Sequence, residues 1–424
     1  MLITTKTEEL PMNILPFTNE TLDSFLLKSQ QIHKEAIQNA LEKYDKEIYT
    51  LIDHKRFILI RLDERTILSS YGILKFKRRY YYDSYMNEYC YLLDNKLQIP
   101  KSKRMTNELI LKMLDLASIM SYKEVGEHLS SEFVISKFTV WKTIRETLLE
   151  TYFDVDVRRN KLKVHVQVDE KYIGMINSKN KKKYYTLTIF AGKELAGKSY
   201  RLLNKTVISS SSLCDLRDRL NELLINRYKV SFDEEIFVSG DFATYIQNFE
   251  QTINCCKVKY VPDKFHVYKT LKDVLPDVYI DDCSLIDKNF QTYLIQRLSK
   301  IEDNEDSRKL KNILIKNPKS LNSYLDPEYL GCSQEGQNSH IYAPRFGKYA
   351  NRFSPSTIEK LALIREAKAM NAKVVLIHKR RKIPEPIGTS IPKPYEDIVK
   401  YVLDTREMKF ETMKMFNSIK YGGL

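Results

Sequence analysis

Two aspartates close apolar runs. Asp169 ends VHVQVD and Asp241 ends IFVSGD. Burying an ionised carboxylate at the end of such a run is costly unless a cation or a hydrogen-bond donor compensates it. If the runs are the first and fourth strands of one sheet, adjacent and parallel, their C-terminal ends lie side by side. That is the edge where open α/β sheets carry their sites, and it would join carboxylates 72 residues apart. Such a pair can share two divalent ions roughly 3.5–4 Å apart, one activating an attacking hydroxyl and the other stabilising a leaving oxygen. Oxygen ligands and phosphate substrates suit Mg²⁺ (or Mn²⁺). Taken singly, each Asp is also an ordinary turn former. A third acidic ligand is expected from a helix on the same face, and Glu335 in GCSQEGQNSHIYAPRF is the best candidate, following the break at Gly331. Near it, Ser339, His340 and Arg345 are groups suited to phosphate contact. Asp263 and His266, in PDKFH, put two more polar side chains on one face of a helix start. Taken alone, that pair reads first as a capping Asp with a satisfied histidine.

The elements that must position these residues follow from the change of period after residue 160. KVHVQVDEKYIGMI, KKYYTLTIFAG and KSYRLLNKTVI read as three strands, SSLCDLRDRLNELLINRY as an amphipathic helix, EEIFVSGD as a fourth strand, FATYIQNFEQTI as a short helix and KVKYVPD as a fifth strand. The order β-β-β-α-β-α-β is that of an RNase H-like α/β fold. Residues 264–330 are helical and highly charged, and they interrupt the β-rich unit before a helix resumes near Glu335. The expected catalytic domain is 160–380, followed by a Pro-broken C-terminal tail, 381–424.

Ahead of it, residues 1–60 form an N-terminal helical region, with Leu22, Phe25, Leu26 and Ile32 at helical spacing. Residues 61–150 combine a β hairpin unit with three short helices, the last reading through Glu150. Lys75, Lys77, Arg78 and Arg79 interleave with Phe76, Tyr80, Tyr81 and Tyr82. Basic and aromatic residues together suit a nucleic-acid surface, and tyrosines on a half-buried sheet explain the pattern as well. The third helix carries Lys137, Thr139, Lys142 and Arg145, which fits a DNA-reading helix-turn-helix; an ordinary three-helix bundle is the alternative.

Lys plus Arg total 69 against 55 Asp plus Glu, a net charge of +14. That excess favours a polyanionic partner, although a lysine-rich solvated surface also produces it. The six cysteines show no CxxC pair and no zinc-ligand spacing, so free thiols in a reducing cytoplasm are expected. The start has early acidic residues and no continuous apolar segment, which argues against a signal peptide. No apolar run nears the roughly 18 residues that span a bilayer, and no membrane association is expected.

VQVDEKYI, SGDFATYIQNF, VPDKFHVYKTL, then GCSQEGQNSHIYAPRF and FSPSTIEKLALIREA together resemble an ISLre-type insertion-sequence transposase, a bacterial group related to Mutator-like transposases. The EG-x-x-SH-x-x-A-x-R stretch with the downstream FSP is the most specific part. The resemblance implies an Asp-Asp-Glu catalytic set of Asp169, Asp241 and Glu335 binding two Mg²⁺ or Mn²⁺ ions. It also implies that Asp263 and His266 match the (C/D)xxH motif, and that 264–330 is an all-helical insertion. It implies double-stranded DNA partners (element ends and target) and a homodimer or higher assembly on DNA. The chain departs from the family's pattern at Glu170, where a Gly is usual, and at Phe353, where a Trp is. Alternation turns Glu170 to the other side of the strand from Asp169. A non-catalytic DNA-binding protein derived from a transposase is the alternative function.

Overall fold

The computed structural model of the chain describes residues 19–97, 99, 104–152, 157, 162–176, 178, 180–197, 199–301, 304–316, 318–347, 352–377 and 407–408. The C-terminal tail expected beyond residue 381 lies outside them, apart from Glu407 and Met408. The chain divides into two compact units, residues 1–113, 123–140 and 378–406 in one, and 114–122, 141–377 and 407–424 in the other. Both are discontinuous in sequence. Among the described residues no helix is long and apolar enough to cross a membrane.

In the first unit the helix α1 (Asn19–Leu51) buries Ile37, Leu41, Tyr44 and Ile48, a stripe at helical spacing. Helix was expected as far as Ile60, but Phe57 already starts a strand. The β-branched run β1 (Phe57–Ser69) pairs antiparallel with β2 (Gly72–Asp83), Phe57 opposite Asp83. The short β3 (Glu88–Cys90) pairs only with Tyr81 to Asp83, which leaves the N-terminal half of β2 as an edge. Side chains close that edge: Glu42 accepts from Lys77 N at 2.9 Å, Asp45 from Arg79 N at 3.2 Å and Glu132 from Ile73 N at 2.9 Å. Satisfying edge donors in this way blocks strand addition by another chain.

After α2 (Leu92–Lys96) come α3 (Asn107–Ala117), α4 (Tyr122–His128) and α5 (Lys137–Glu146). Gly126 sits mid-helix in α4 because a Cβ there would stand 1.8 Å from Ile135 O. The close approach also lets Ile135 N donate to Gly126 O at 3.1 Å.

The second unit opens with a correction. Leu148 to Glu150 do not extend α5. They begin β4 (Leu148–Tyr152), whose backbone is taken by β12 (Lys373–Ile377), a strand distant in sequence. The main sheet uses β5 (His165–Ile173), β6 (Lys182–Phe190), β9 (Thr206–Ser210), β10 (Glu235–Gly240) and β11 (Lys257–Pro262), in the order β11-β10-β5-β6-β9. β10 runs parallel to both β5 and β11; β5–β6 and β6–β9 are antiparallel. The single strand expected over KSYRLLNKTVI is two. β8 (Ser199–Leu202) folds back on β7 (Lys193–Ala196), and only β9 joins the sheet. Asn204, at φ 52°, marks the break between them. One face of the sheet packs Val164, Val166, Val168, Leu187, Ile189, Ile236 and Val238 against Leu216, Leu220 and Leu224 of α6 (Leu213–Asn226) and Ile246 of α7 (Thr244–Gln247).

Between β11 and the next site helix lie α8 (Lys264–Val274), α9 (Asp282–Ile286), α10 (Lys288–Ser299), α11 (Glu305–Lys316) and α12 (Pro318–Leu321). They share a core of their own, built on Val267, Leu271, Leu285, Leu294, Leu298 and Leu310. The chain then forms α13 (Gln334–Ile341), α14 (Ala343–Phe346) and α15 (Pro355–Met370) before β12, and β13 (Glu407–Met408) pairs with β12.

α15 brings Glu366 against the edge strand β9. Its Oε1 accepts from Ser209 Oγ and from Tyr342 Oη (2.9 Å). Burial pushes its carboxyl up to about 7. A carboxyl raised in the fold adds stability below its unfolded value near 4.5, and that contribution is lost as pH rises through about 7. Glu366→Gln keeps the accepting oxygen and removes the charge. It should therefore raise Tm at pH 8.5 by roughly 3 °C or more and change it much less at pH 5, as measured by calorimetry across that range. A uniform loss at both pH values would contradict the assignment.

Candidate active site

The site grows from the period-two alternation of β5. Val164, Val166 and Val168 enter the core, so His165, Gln167 and Asp169 share the opposite face. Each meets the segment that leads into or forms α13. His165 Nε2 accepts from Leu330 N at 3.2 Å. Gln167 donates to Gly331 O at 2.8 Å and accepts from Ser333 N at 3.1 Å. Asp169 Oδ2 accepts from Asn338 Nδ2 at 2.6 Å. The His165 ring lies stacked between Phe190 and Phe237, each 5.0 Å away, and burial lowers its pKa to about 4. The ring is therefore neutral at ordinary pH, with Nδ1–H directed to Lys163 O at 3.2 Å. That leaves Nε2 free to accept.

Register then brings the second aspartate alongside the first. Gly240 of β10 stands opposite Val168 of β5 and Pro262 of β11. The residues that follow these three are Asp169, still within β5, and Asp241 and Asp263, just past the ends of β10 and β11, a row across adjacent parallel strands. Gly240 is required here, since a Cβ would meet Val168 O at 2.5 Å and Ile246 Cδ1 at 2.7 Å. Its absence lets β10 close on β5 just before the paired carboxylates. Asp241 Oδ1 accepts from Ala243 N at 3.0 Å, and its backbone carbonyl accepts from Tyr260 Oη at 3.0 Å. Asp169 Oδ1 accepts from Glu170 N at 2.7 Å. Despite these donors, burial and the neighbouring charge of Asp241 push the Asp169 carboxyl up to about 6. A carboxyl beside a second carboxylate in a partly desolvated place resists ionisation, and a cation beside Asp169 would relieve it.

α13 crosses the sheet at the register pair Asp169 and Thr186. It turns Gln334, Asn338 and Ile341 inward. Gln334 Nε2 donates to Thr186 Oγ1 at 3.1 Å, which in turn donates to Asp169 O at 3.2 Å. Glu335 occupies the first turn of the same helix and is exposed. After burial and the local donors and charges, its charge is a further influence raising the Asp263 carboxyl. Among the described residues no three His, Cys, Asp or Glu side chains stand close enough to hold a metal ion. Register and charge make Asp169 and Asp241 neighbours, with Glu335 on the adjoining helix.

The other residues singled out in the sequence divide by burial. Asp263 caps α8, accepting from Phe265 N at 3.1 Å, and His266 Nε2 lies 3.8 Å from Asp263 Oδ2. His266 also reaches Asp169 electrostatically, lowering its pKa. His340 is exposed. Arg345 is a correction: it is 2% exposed, its Nε donates to Ala117 O at 2.7 Å, and its guanidinium packs over Phe353 at 4.8 Å. It therefore serves the core rather than a phosphate. Arg78 is a second correction, buried and paired, together with Arg65, to Asp94. Arg79 bonds Asp45 at 2.5 Å, leaving Lys75 and Lys77 as the exposed cations of that run. On α5, Lys137, Lys142 and Arg145 are exposed, and Thr139 N donates to the Ser136 Oγ cap at 3.2 Å. Glu170 is engaged by Lys183 at 2.9 Å and Tyr172 at 2.9 Å.

Three residues near the carboxylates are not among the candidates that the sequence singles out, although they lie within its signature stretches: Asn338, Gln334 and Tyr245. Each has a buried polar atom (Asn338 Oδ1, Gln334 Oε1, Tyr245 Oη) without a hydrogen-bond partner among the described residues. Tyr245, edge-on to Tyr185 at 5.2 Å, has its pKa raised by burial and then by Asp241, Glu170 and Asp169. Unsatisfied buried groups of this kind call for a specific explanation.

The uncharacterised protein family UPF0236 matches residues 17–374 of the chain. A UPF0236 protein of Caldanaerobacter subterraneus subsp. tengcongensis is 24% identical over 387 residues, spanning 83% of this chain and 82% of its own length. Its name joins eleven gene designations of that organism. A second UPF0236 protein of the same organism is 22% identical over 355 residues, spanning 80% of this chain and 75% of its own.

The electrostatic coupling in the row can be tested directly. Asp241→Asn should lower the Asp169 titration from about 6 without restoring it to 3.8, because burial, the larger cause, is unchanged. Carboxyl-carbon NMR without divalent ions reads this. An unmoved titration would mean that the two side chains do not interact.

Proposed function

Because the chain belongs to the uncharacterised protein family UPF0236, whose name assigns no activity, we propose its function from the site: a DDE-type transposase that cleaves double-stranded DNA and transfers the freed 3′ end. The observation carrying this reading is that Asp169, midway along β5, and Asp241, just past the end of β10, follow the last register pair of two adjacent parallel strands, with the Asp169 carboxyl pushed up to about 6. The strand order supports an RNase H-like catalytic fold, and the helices between β11 and α13 support an all-helical insertion within it. A relative whose name joins eleven gene designations fits a sequence carried in many copies, the trace that a self-moving element leaves.

The residues present suit a hard divalent cation. Two carboxylates and the amide oxygen Asn338 Oδ1, which has no hydrogen-bond partner among the described residues, would offer an all-oxygen donor set. Asp169 and Asp241 would hold Mg²⁺ or Mn²⁺; Glu335 on α13, which is not clustered with them among the described residues, would join as the third carboxylate when the ions bind. Bound there, two such ions would supply activation of the attacking hydroxyl and stabilisation of the leaving oxygen. The chain contributes position: the β5–β10 register fixes the aspartates, and the β5 contacts to residues 330–338 fix α13. Exposed Lys75 and Lys77 on β2 and Lys137, Lys142 and Arg145 on α5 would meet the DNA backbone. The protein would work in the bacterial cytoplasm, and joining two element ends would need two or more copies on the DNA.

Incubating the full chain with Mg²⁺ and DNA from either side of its gene should give strand cleavage and joined products. Asp169→Asn, Asp241→Asn and Glu335→Gln should each abolish both. Glu305→Gln, at an exposed position of α11 where Glu305 pairs with Lys309 at 2.8 Å, should leave them intact. Wild-type rates in either aspartate variant would refute the proposal.

The double variant Lys142→Ala with Arg145→Ala should weaken binding of the same DNA. It should also flatten the slope of log affinity on log salt by about 1.8, two phosphates at ~0.9 each. Unchanged affinity would move recognition to Lys75 and Lys77.

A further inference from the structure

Asn338 is 7% exposed, and its Nδ2 donates to Asp169 Oδ2 at 2.6 Å. The geometry assigns the amide orientation, since an amide oxygen turned to the carboxylate would set two acceptors against each other. The other half of the amide, Oδ1, is buried with no donor among the described residues. An unpaired buried acceptor is costly. Holding α13 to the sheet does not require it, because Gln334 one turn earlier already bonds Thr186 and Ile341 one turn later packs as a hydrophobe. An aliphatic residue at position 338 would fill the space without an orphaned oxygen.

We propose that Asn338 is a positioning residue of the carboxylate pair: its N–H orients Asp169, and its buried amide oxygen stands ready for the cation or water that the pair shares. The inference rests on reading Asp169 and Asp241 as a divalent-cation site. Second partners that orient a metal-binding carboxylate change metal affinity by about 10- to 100-fold when removed, so the role is visible without any DNA.

The test is calorimetric titration of the full-length protein with Mn²⁺, alongside Tm with and without the ion. Asn338→Ala should fold and bind Mn²⁺ about 10- to 100-fold more weakly than wild type. Asn338→Asp sets a third carboxylate against Asp169; its metal-free Tm should fall, and Mn²⁺ should raise that Tm further than it raises wild type's. Wild-type Mn²⁺ affinity in Asn338→Ala, with binding lost in Asp169→Asn, would overturn the inference and leave the cation site standing. Lowered Tm with unchanged Mn²⁺ response in both Asn338 variants would reduce the residue to a packing role and also overturn it. Absence of Mn²⁺ binding by the wild-type protein at millimolar concentration would remove the cation site itself, and the inference with it.

Discussion

The parallel pairing of β10 with β5, brought close at Gly240, is the constraint on which the second unit depends. A Cβ at Gly240 would meet the carbonyl of Val168 at 2.5 Å, so only a glycine lets the strands approach one residue before Asp241 and Asp169. The core face of the same strands supplies the free energy that holds this contact: Val166, Val168, Ile236 and Val238 are all fully buried. Core and site are thus two faces of one sheet. The apolar face stabilises the strands, and the polar face gathers carboxylates that would separate if they were free to do so.

The polar face has a second consequence. His165, Gln167 and Asp169 lie at successive alternate positions, and each binds a point along residues 330–338. The strand therefore sets where α13 begins and how it is turned, across more than 160 residues of intervening chain. The helices α8 to α12 can carry their own core because the return of the chain is anchored by β5 rather than by them. The neutral His165, held by stacking and by two defined hydrogen bonds, makes that anchor insensitive to pH over the ordinary range.

Much of this was legible in the residues. A carboxylate closing an apolar run is conspicuous, and the order of strands and helices from 165 to 262 follows from changes of period. The adjacent, parallel placement of the Asp169 and Asp241 strands follows from that order. Other features depend on partners far away in sequence. β4 reads as the end of a helix until β12 claims its backbone. KSYRLLNKTVI reads as one strand until Asn204 breaks it at positive φ. Charge carries no record of burial either: Arg78 and Arg345 look like phosphate ligands beside their basic neighbours, yet one answers Asp94 and the other Ala117 O. Asn338 and Gln334 sit in a polar stretch with no periodic signal, and only the contact with Asp169 and Thr186 separates them from surface residues.

Strand register places Asp169 and Asp241 side by side, and the proposed function requires that they bind a divalent cation between them. Anomalous diffraction from crystals of the protein soaked in Mn²⁺ tests it most directly. An anomalous peak is expected between the two carboxylates with an oxygen of each in its coordination sphere, and it should be lost in Asp241→Asn crystals. Mn²⁺ bound elsewhere on the protein, with no peak between Asp169 and Asp241, would contradict it.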